Sequence, residues 1–253
     1  TTICFAGLGA MGRPMAANLV KAGHTVHGTD VNPAALAWLK ENGGTPFPSA
    51  KEAASGAGML VLMVVNADQA EAVLFETGAL EALAPDAIVV LCATCAPARA
   101  AAIGEKVAAS QRRFVDAPVS GGVVGAEAGT LTIMASGPAA VLDAAEPVLK
   151  VMGSRLFRVG EKAGDGAMVK TINQLLCGVH IAAAAEALAL GERAGLDTRV
   201  LLEIYGSSAA GSWMLNNRGP RMLMEDPPVT SAVDIFGKGL AIVLDAGHAT
   251  RAP

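Results

Sequence analysis

Two side chains that could transfer a proton or donate a hydrogen bond lie three residues apart in an otherwise apolar, alanine-rich stretch. They are Lys170 and Asn173, in the segment GAMVKTINQ at 166–174. Residues at this spacing share one face of an α-helix. A lysine in apolar surroundings is rarely buried unless it is paired or used. The residues alone leave a second interpretation open, in which the side chain follows the helix edge and brings its ammonium group to solvent.

A glycine-rich turn near the N-terminus has the spacing of a dinucleotide-binding motif. Gly7-x-Gly9-x-x-Gly12 follows an apolar segment, TICFA, and precedes a predicted helix. The first glycine allows a tight turn, the second lets a pyrophosphate approach the backbone, and the third lets the helix pack closely on the strand. N–H groups at the start of that helix would face the phosphates. The expected cofactor-binding residues are Gly7, Leu8, Gly9, Ala10, Met11 and Gly12.

One carboxylate indicates which dinucleotide this would be. Asp30 ends the second predicted strand, roughly twenty residues past the glycine motif. A carboxylate there can accept hydrogen bonds from ribose hydroxyl groups and would repel a 2′-phosphate. No arginine follows it in the segment DVNP to offset that repulsion. The sequence therefore predicts NAD rather than NADP.

A second candidate binding segment is SGG at 120–122, which also follows a predicted strand. Ser120 offers a hydroxyl group, and Gly121 and Gly122 would allow backbone N–H groups to approach an anion such as a carboxylate. A plain flexible turn is the alternative. Asp116 begins the same motif, and we expect it to support this loop rather than touch a substrate.

The cysteines and histidines do not form a convincing metal site. Cys92 and Cys95 make a C-x-x-C pair, which can indicate a redox or metal site. Neither a second Cys/His pair at zinc spacing nor a thioredoxin-like helix follows, so both are interpreted as small core residues. The sequence predicts no metal.

The elements that would position these residues alternate between strand and helix up to about residue 160. Continuous apolar runs such as MLVLMVV and AIVVLCA are typical of strands buried on both faces of a parallel sheet. Helices are predicted between them, among others at 67–83, 97–110 and 138–151. We therefore expect an α/β Rossmann domain, doubly wound around a mostly parallel sheet, over residues 1–162.

The remainder, 163–253, is predicted to be an all-α C-terminal domain. It would begin with one long interdomain helix over 163–195 and continue with helices near 197–208, 212–224 and 231–248.

Composition narrows the class of protein. Of 253 residues, 52% are hydrophobic and 17% charged, with a net charge of −4, so a sizeable core can form and nucleic acid is not an expected partner. The longest apolar runs, such as Leu175–Ala185, are shorter than the roughly 18 residues of a membrane span. The first residues run directly into a strand without a signal peptide. We expect a cytoplasmic protein with no membrane partner.

Four segments in order together resemble the β-hydroxyacid dehydrogenase family, which includes 3-hydroxyisobutyrate dehydrogenase. They are FAGLGAMGRPMAANLVKAGH, DAPVSGGVVGAEAGTLTIMASG, GDGAMVKTINQLL and DIFGKGLAIVLD. The resemblance spans essentially the whole chain. It implies hydride transfer from the hydroxyl-bearing carbon of a small hydroxy acid to NAD. It also implies a helical domain like that of 6-phosphogluconate dehydrogenase and a homodimer or homotetramer formed through that domain.

The resemblance also implies roles for individual residues. Lys170 would be the general acid/base, and Asn173 with the 120–122 segment would bind the substrate. Burial of the lysine would favour its neutral amine, whereas a bound carboxylate would favour the charged form. Further cofactor contacts are implied for Val65, Asn66, Thr94 and Lys238.

This sequence departs from the family pattern in three places. Ala93 and Ala96 replace serines on either side of Thr94, and Gly239 follows Lys238 where an Asp is common. A glycine inside a helix costs about 1 kcal/mol relative to alanine, so the sequence predicts a weakened helix around Lys238. The helical domain is also short of the usual family length.

Several segments are similar to family members that oxidise the C2 hydroxyl of L-threonate, a four-carbon sugar acid. They are VVNADQAEAVLF, NQLLCGVHIAAAAEALAL, AAGSWMLNNR and SAVDIF. The predicted reaction is therefore NAD-dependent oxidation of L-threonate to the 2-oxo acid. Reduction of tartronate semialdehyde and oxidation of 3-hydroxyisobutyrate remain alternatives. A non-catalytic NAD-binding protein on the same fold is a further one.

Overall fold

The computed structural model describes residues 1–227 and 233–252 of the chain. These residues form two compact units, Thr1–Lys170 and Thr171–Pro253. The predicted domain boundary, between residues 162 and 163, lies eight residues before the point where the first unit ends. Each unit is described by itself below.

One nine-stranded sheet forms the centre of the first unit. Its strands are β1 Thr2–Ala6, β2 Thr25–Thr29, β3 Thr45–Pro46, β4 Met59–Leu62, β5 Ile88–Leu91, β6 Arg113–Asp116, β7 Val119–Ser120, β8 Thr132–Ser136 and β9 Arg155–Gly160. The spatial order is β3-β2-β1-β4-β5-β6-β8-β7, and β9 pairs with β8. The strands from β3 to β6 are parallel, while β8 runs antiparallel to β6 and β7.

Apolar side chains cover both faces of this sheet. Ile3, Phe5 and Val61 belong to one buried cluster, whereas Cys4 and Leu60 belong to another. Successive side chains of a strand point to opposite faces, so a continuous apolar run fills two cores at once. The predicted doubly wound α/β fold is confirmed.

Eight α-helices accompany the sheet within residues 1–160. They are α1 Gly12–Lys21, α2 Pro33–Glu41, α3 Ala50–Ala54, α4 Ala67–Glu71, α5 Ala79–Ala82, α6 Pro97–Ala109, α7 Gly122–Glu127 and α8 Ala139–Met152. Local sequence sets several of their starts. Asn32 accepts a hydrogen bond from the Ala34 N–H group and so caps α2, and Ser49 caps α3 through the Glu52 N–H group.

The single helix predicted over 67–83 is wrong. The chain forms α4, then a π-helical turn at Ala72–Glu76, and then the short helix α5. Gly78 separates the last two with φ +77°, a left-handed conformation that ends a helix and that glycine adopts without strain. Apolar periodicity continued through this break, which hid it from a pattern-based prediction.

The elements after β9 are helical, as predicted. Helix α9 covers Asp165–Arg193, and α10 Thr198–Ser207, α11 Trp213–Met222 and α12 Val233–Thr250 follow it. Residues 231 and 232 of the last predicted helix lie outside the described residues. Glycines let these helices approach closely: a Cβ on Gly219 would collide with the side chain of Leu202.

Helix α9 is long and apolar enough, by length and composition alone, to cross a membrane. An 18-residue window of this helix has a mean hydropathy of 1.5, and 22% of that window is buried. Small residues such as alanine raise that average although each unbroken apolar run is short. Core helices of soluble proteins pass the same test, so this is a weak indication of a membrane span.

Candidate active site

The glycine turn forms a tight bend between β1 and α1. Gly7 has φ +94°, and its N–H group donates to the Thr29 carbonyl oxygen at 3.1 Å. A Cβ on Gly7 would lie 2.5 Å from the Met63 carbonyl oxygen, and one on Gly12 would collide with the Gly7 carbonyl oxygen. Both positions therefore require glycine for close backbone approach.

Gly9 differs from its two neighbours in the motif. Within the described part of the chain, no heavy atom beyond its immediate neighbours lies within 4 Å of where its Cβ would be, so the space above this residue is open. Met11, at the start of α1, makes no side-chain capping hydrogen bond. An open backbone at an uncapped helix start fits a phosphate-bearing ligand, because helix N-termini attract anions.

Asp30 lies directly beside this turn. Its Oδ2 accepts a hydrogen bond from the Leu8 N–H group at 2.6 Å, and its Oδ1 accepts one from the Asn32 N–H group at 2.8 Å. These two bonds fix the carboxylate at the end of β2. In dinucleotide-binding folds, a carboxylate at the end of this strand accepts hydrogen bonds from ribose hydroxyl groups.

The other predicted cofactor residues of the first unit follow neighbouring parallel strands at the same edge of the sheet. Val65 and Asn66 come after β4, and Thr94 comes after β5. Asn66 caps α4 by accepting from the Gln69 N–H group at 2.9 Å, while Val65 is 63% exposed. The carboxyl edge of a parallel sheet is where α/β proteins bind ligands. The structure thus brings these residues to one edge together with the glycine turn and Asp30.

The 120–122 segment is a bend with two left-handed glycines. Ser120 pairs with Thr132 at the end of β7, and Gly121 and Gly122 have φ +134° and +63°. A Cβ on Gly122 would meet open space, so its glycine is required by backbone conformation rather than by crowding. Ser120 is half-buried and Gly122 is exposed.

Lys170 and Asn173 both lie in α9, one turn apart. Lys170 is only 7% exposed and ends the first compact unit, whereas Asn173 is half-buried and belongs to the second. The Cys177 thiol lies 3.8 Å from Asn173 Oδ1 and donates to it. Cys177 was not among the residues that the sequence predicted for the site, because a cysteine four positions along an apolar helix carries no motif.

Asp116 does not support the 120–122 loop as expected. Its Oδ2 accepts hydrogen bonds from the N–H groups of Gly164 at 3.0 Å and Ala167 at 2.8 Å, at the start of α9. Burial raises the pKa of Asp116 to about 6, although these two N–H groups and the Ser136 hydroxyl lower it. The two glycines of GDG at 164–166 could have indicated this contact, since glycines at the start of a helix allow a neighbouring backbone to approach closely.

Lys238 lies half-buried in α12, in the second unit. The glycine after it has a packing reason. A Cβ on Gly239 would lie 3.3 Å from Gln174 Nε2, and one on Gly178 would lie 2.8 Å from the Leu240 side chain. Close packing of α12 on α9 thus occurs where the sequence alone suggested a weakened helix, and it sets Lys238 beside the part of α9 that carries Asn173.

The C-x-x-C pair lies inside the core. Cys92 and Cys95 are both buried, and burial raises the pKa of the Cys92 thiol to about 12. A thiolate there is strongly disfavoured, which argues against redox reactivity. Among the described residues, no three His, Cys, Asp or Glu side chains gather in a group that could hold a metal ion.

Comparison with known proteins accounts for both parts of the chain. Residues 2–160 match the family model described as the NAD binding domain of 6-phosphogluconate dehydrogenase. Residues 164–253 match the one described as NAD-binding of NADP-dependent 3-hydroxyisobutyrate dehydrogenase.

Similar proteins extend this result over the full chain. An L-threonate dehydrogenase of Cupriavidus necator is 45% identical over 98% of this chain and 84% of its own length. A 3-hydroxyisobutyrate dehydrogenase of Pseudomonas aeruginosa is 39% identical over 100% of this chain and 87% of its own. The crystal structure of a 3-hydroxyisobutyrate dehydrogenase from Salmonella typhimurium superposes with a TM-score of 0.93 at 41% identity, covering 100% of this chain and 88% of that one. The predictions of an oxidoreductase and of an NAD-binding dehydrogenase are confirmed, and the chain belongs to the β-hydroxyacid dehydrogenase family of the 3-hydroxyisobutyrate dehydrogenase type.

Proposed function

We propose that this protein oxidises the C2 hydroxyl group of L-threonate to the 2-oxo acid with NAD, and that Lys170 is its general acid/base. The observation that carries the proposal is the burial of Lys170, which is 7% exposed in the second turn of α9. A lysine that merely reached for solvent from the helix edge would leave its ammonium group accessible. This one is withdrawn from water, as a group that exchanges a proton with a bound substrate should be.

The residues at the glycine turn fit NAD. The backbone of residues 7–12 would hold the pyrophosphate, and Asp30 would bind the adenosine ribose and repel a 2′-phosphate. Val65, Asn66, Thr94 and Lys238 would complete the cofactor site. NAD, when bound, accepts a hydride from the carbon that carries the hydroxyl group.

The remaining residues act on the substrate. Lys170 takes the hydroxyl proton as the alcohol becomes a carbonyl, and in the reverse direction it returns that proton to the developing alkoxide. Its positive charge also stabilises that oxygen. Ser120 and the backbone N–H groups of Gly121 and Gly122 would hold the substrate carboxylate. The Asn173 amide, whose oxygen accepts from the Cys177 thiol, would donate to a substrate oxygen.

A substrate panel tests the reaction. Purified protein would be assayed for NADH production with three- to six-carbon hydroxy acids, and L-threonate should give the highest kcat/KM. Lys170→Met, which removes the amine and keeps the chain length, should lower kcat by about 1,000-fold while NADH still binds, since general acid–base catalysis contributes 10²- to 10⁴-fold. A variant at full turnover would refute the role of Lys170. Activity with NADP alone would refute that of Asp30.

A second candidate is oxidation of 3-hydroxyisobutyrate, favoured by the 39% identical Pseudomonas aeruginosa relative of that name. A methyl-branched acid preferred over L-threonate in the same panel would select it. Tartronate semialdehyde, assayed with NADH, covers the third substrate. A non-catalytic NAD-binding protein would bind NADH and turn over none of them.

The location and assembly belong to the same proposal. We place the enzyme in the cytoplasm as a homodimer or homotetramer formed through the helical domain. The assembly is supported by Ile172, Leu175, Leu176 and Val179, which lie on α9 and are 42–54% exposed. Apolar residues clustered at a surface favour association with another protein. Light scattering at several concentrations measures the oligomer, and a monomer throughout would contradict it.

A further inference from the structure

Asp116 is a buried carboxylate at the carboxyl end of β6, and its hydrogen bonds reach the start of a different element. One oxygen, Oδ2, receives the N–H groups of both Gly164 and Ala167, at 3.0 and 2.8 Å. The side chain is 1% exposed. The first N–H groups of a helix have no partner within it, so this carboxylate caps α9 from across the sheet.

Neighbouring contacts tie the same turn to the sheet. Ser136, opposite Asp116 in β8, accepts a hydrogen bond from the Gly166 N–H group at 3.0 Å. A Cβ on Gly166 would lie 2.5 Å from the Met134 carbonyl oxygen and 2.8 Å from that of Asp116. The start of α9 therefore rests directly on the backbone of β6 and β8, with no side chain between them.

The charge environment of Asp116 makes it an unexpected choice for a purely structural cap. Its Oδ1 is buried and has no hydrogen-bond partner among the described residues. Asp165 raises the pKa of the Asp116 carboxyl, and the Asp116 charge in turn raises the pKa of the buried Cys92 thiol. Burying a carboxylate without full compensation costs stability, which a neutral cap would avoid.

We propose that Asp116 is a positioning residue. By anchoring the first turn of α9 to the end of β6, it holds Lys170 in the position from which this lysine transfers the proton. The proposal rests on the proposed function, because it assumes that Lys170 transfers the proton. Lys170 follows Ala167 by three residues, so a shift of the anchored turn moves it directly. Misplacement of a catalytic group by about 1 Å can cost about 100-fold in rate.

The test compares Asp116→Ala with Asp116→Asn, using the best substrate of the panel. Asp116→Ala should lower kcat by about 100-fold with the Kd for NADH within about twofold, because the glycine turn is untouched. Hydrogen exchange at the amides of residues 164–170 should speed up in the same variant. Asp116→Asn keeps an oxygen acceptor and should retain more of kcat. A folded Asp116→Ala protein with kcat within about twofold of wild type would overturn the proposal.

The pH profile provides a readout that a structural cap would not change. In the reduction direction, with NADH and the 2-oxo acid, low pH favours the protonated form of Lys170. A fall in kcat below pH about 6 would therefore report protonation of Asp116. The fall should be absent in Asp116→Asn, and its persistence there would overturn the proposal even if Asp116→Ala does not fold.

Asp165→Asn is the matched control. Asp165 also lies at the start of α9, but its carboxylate accepts from the Lys162 N–H group rather than from those of Gly164 and Ala167. Its kcat should stay near that of wild type, and its acid limb should move to lower pH because a repelling charge is removed. If Lys170→Met keeps its turnover, both the proposed function and this inference are refuted. If Lys170→Met is inactive and both Asp116 variants behave as wild type, only the positioning role fails.

Discussion

The starts of α1 and α9 differ in whether a side chain of the protein binds the first N–H groups of the helix. Both helices begin at the carboxyl edge of the sheet, where their first N–H groups lack partners within the helix. At α1 the backbone at Gly9 is open and Met11 supplies no cap. At α9 the Asp116 carboxylate occupies that place from inside the protein. An open helix start can receive an anionic ligand, whereas a closed one can only hold its own helix in position.

The glycines of the α1 start should give the largest effects. Gly12→Ala introduces a Cβ that collides with the Gly7 carbonyl oxygen. We expect a loss of about 3 kcal/mol in the free energy of unfolding, because overpacking against backbone cannot relax easily. Thermal or denaturant unfolding measures it. An unchanged unfolding midpoint would mean that the turn is not tightly packed.

Gly9→Ala is the matched change one turn earlier, where a Cβ meets open space. The unfolding midpoint should stay unchanged. The Kd for NADH should rise at least tenfold, because the methyl group occupies the space through which the pyrophosphate approaches the backbone. A tenfold rise in Kd corresponds to a loss of about 1.4 kcal/mol of binding free energy. Fluorescence titration with NADH measures the affinity. Unimpaired binding would contradict a ligand at the open helix start.

Asp30 should decide which dinucleotide the open start accepts. The double variant Asp30→Ser/Val31→Arg removes the carboxylate and adds a guanidinium at a fully exposed position. The ratio of kcat/KM for NADP to that for NAD should rise by about 100-fold, since a repulsion is replaced by an attraction. Val31→Arg alone is the control and should change the ratio far less. An unaltered ratio in the double variant would show that Asp30 does not select the cofactor.

The Asp116 carboxyl at the start of α9 should make the free energy of unfolding depend on pH. The pKa of Asp116 is raised from 3.8 to about 6 in the folded protein, so its stabilising contribution is full below pH 3.8 and is lost as pH rises through about 6. Relative to Asp116→Asn, wild type should lose about 1.5 kcal/mol of unfolding free energy between pH 5 and 7.5. Urea unfolding of both proteins at the two pH values measures this difference. A constant difference would mean that Asp116 does not titrate in this range.

The smallest effect is expected in α12, away from either helix start. Gly237 is exposed and a Cβ there meets open space, so Gly237→Ala should stabilise the protein by about 0.5–1 kcal/mol through helix propensity. Gly239→Ala should gain less, because its Cβ would crowd Gln174. Equal gains from both variants would contradict close packing of α12 on α9.

Much of the fold could be predicted because its signals are local. Unbroken apolar runs identified β1, β4 and β5, and the glycine spacing marked the turn before α1. The break at Gly78 and the short elements β3, α3 and α7 were not predicted, because two to six residues carry too little periodicity. The roles proposed for Lys170, Asn173 and the cofactor residues remain predictions. What the structure adds is that Asp30, Asn66 and Thr94 lie at the sheet edge that carries the glycine turn, and that Lys170 is buried.

The sequence by itself determined the fold class, the family and the candidate residues, since strand periodicity, glycine spacing and motif order are all properties of neighbouring positions. Tertiary structure alone decided which helix start is open and which is closed. Asp116 and Ala167 are 51 positions apart, and no local pattern connects them. The same holds for Gly239 and Gln174, where only packing explains a glycine that local propensity disfavours. Both depend on which backbones the folded chain brings together, and that depends on the packing of the whole unit.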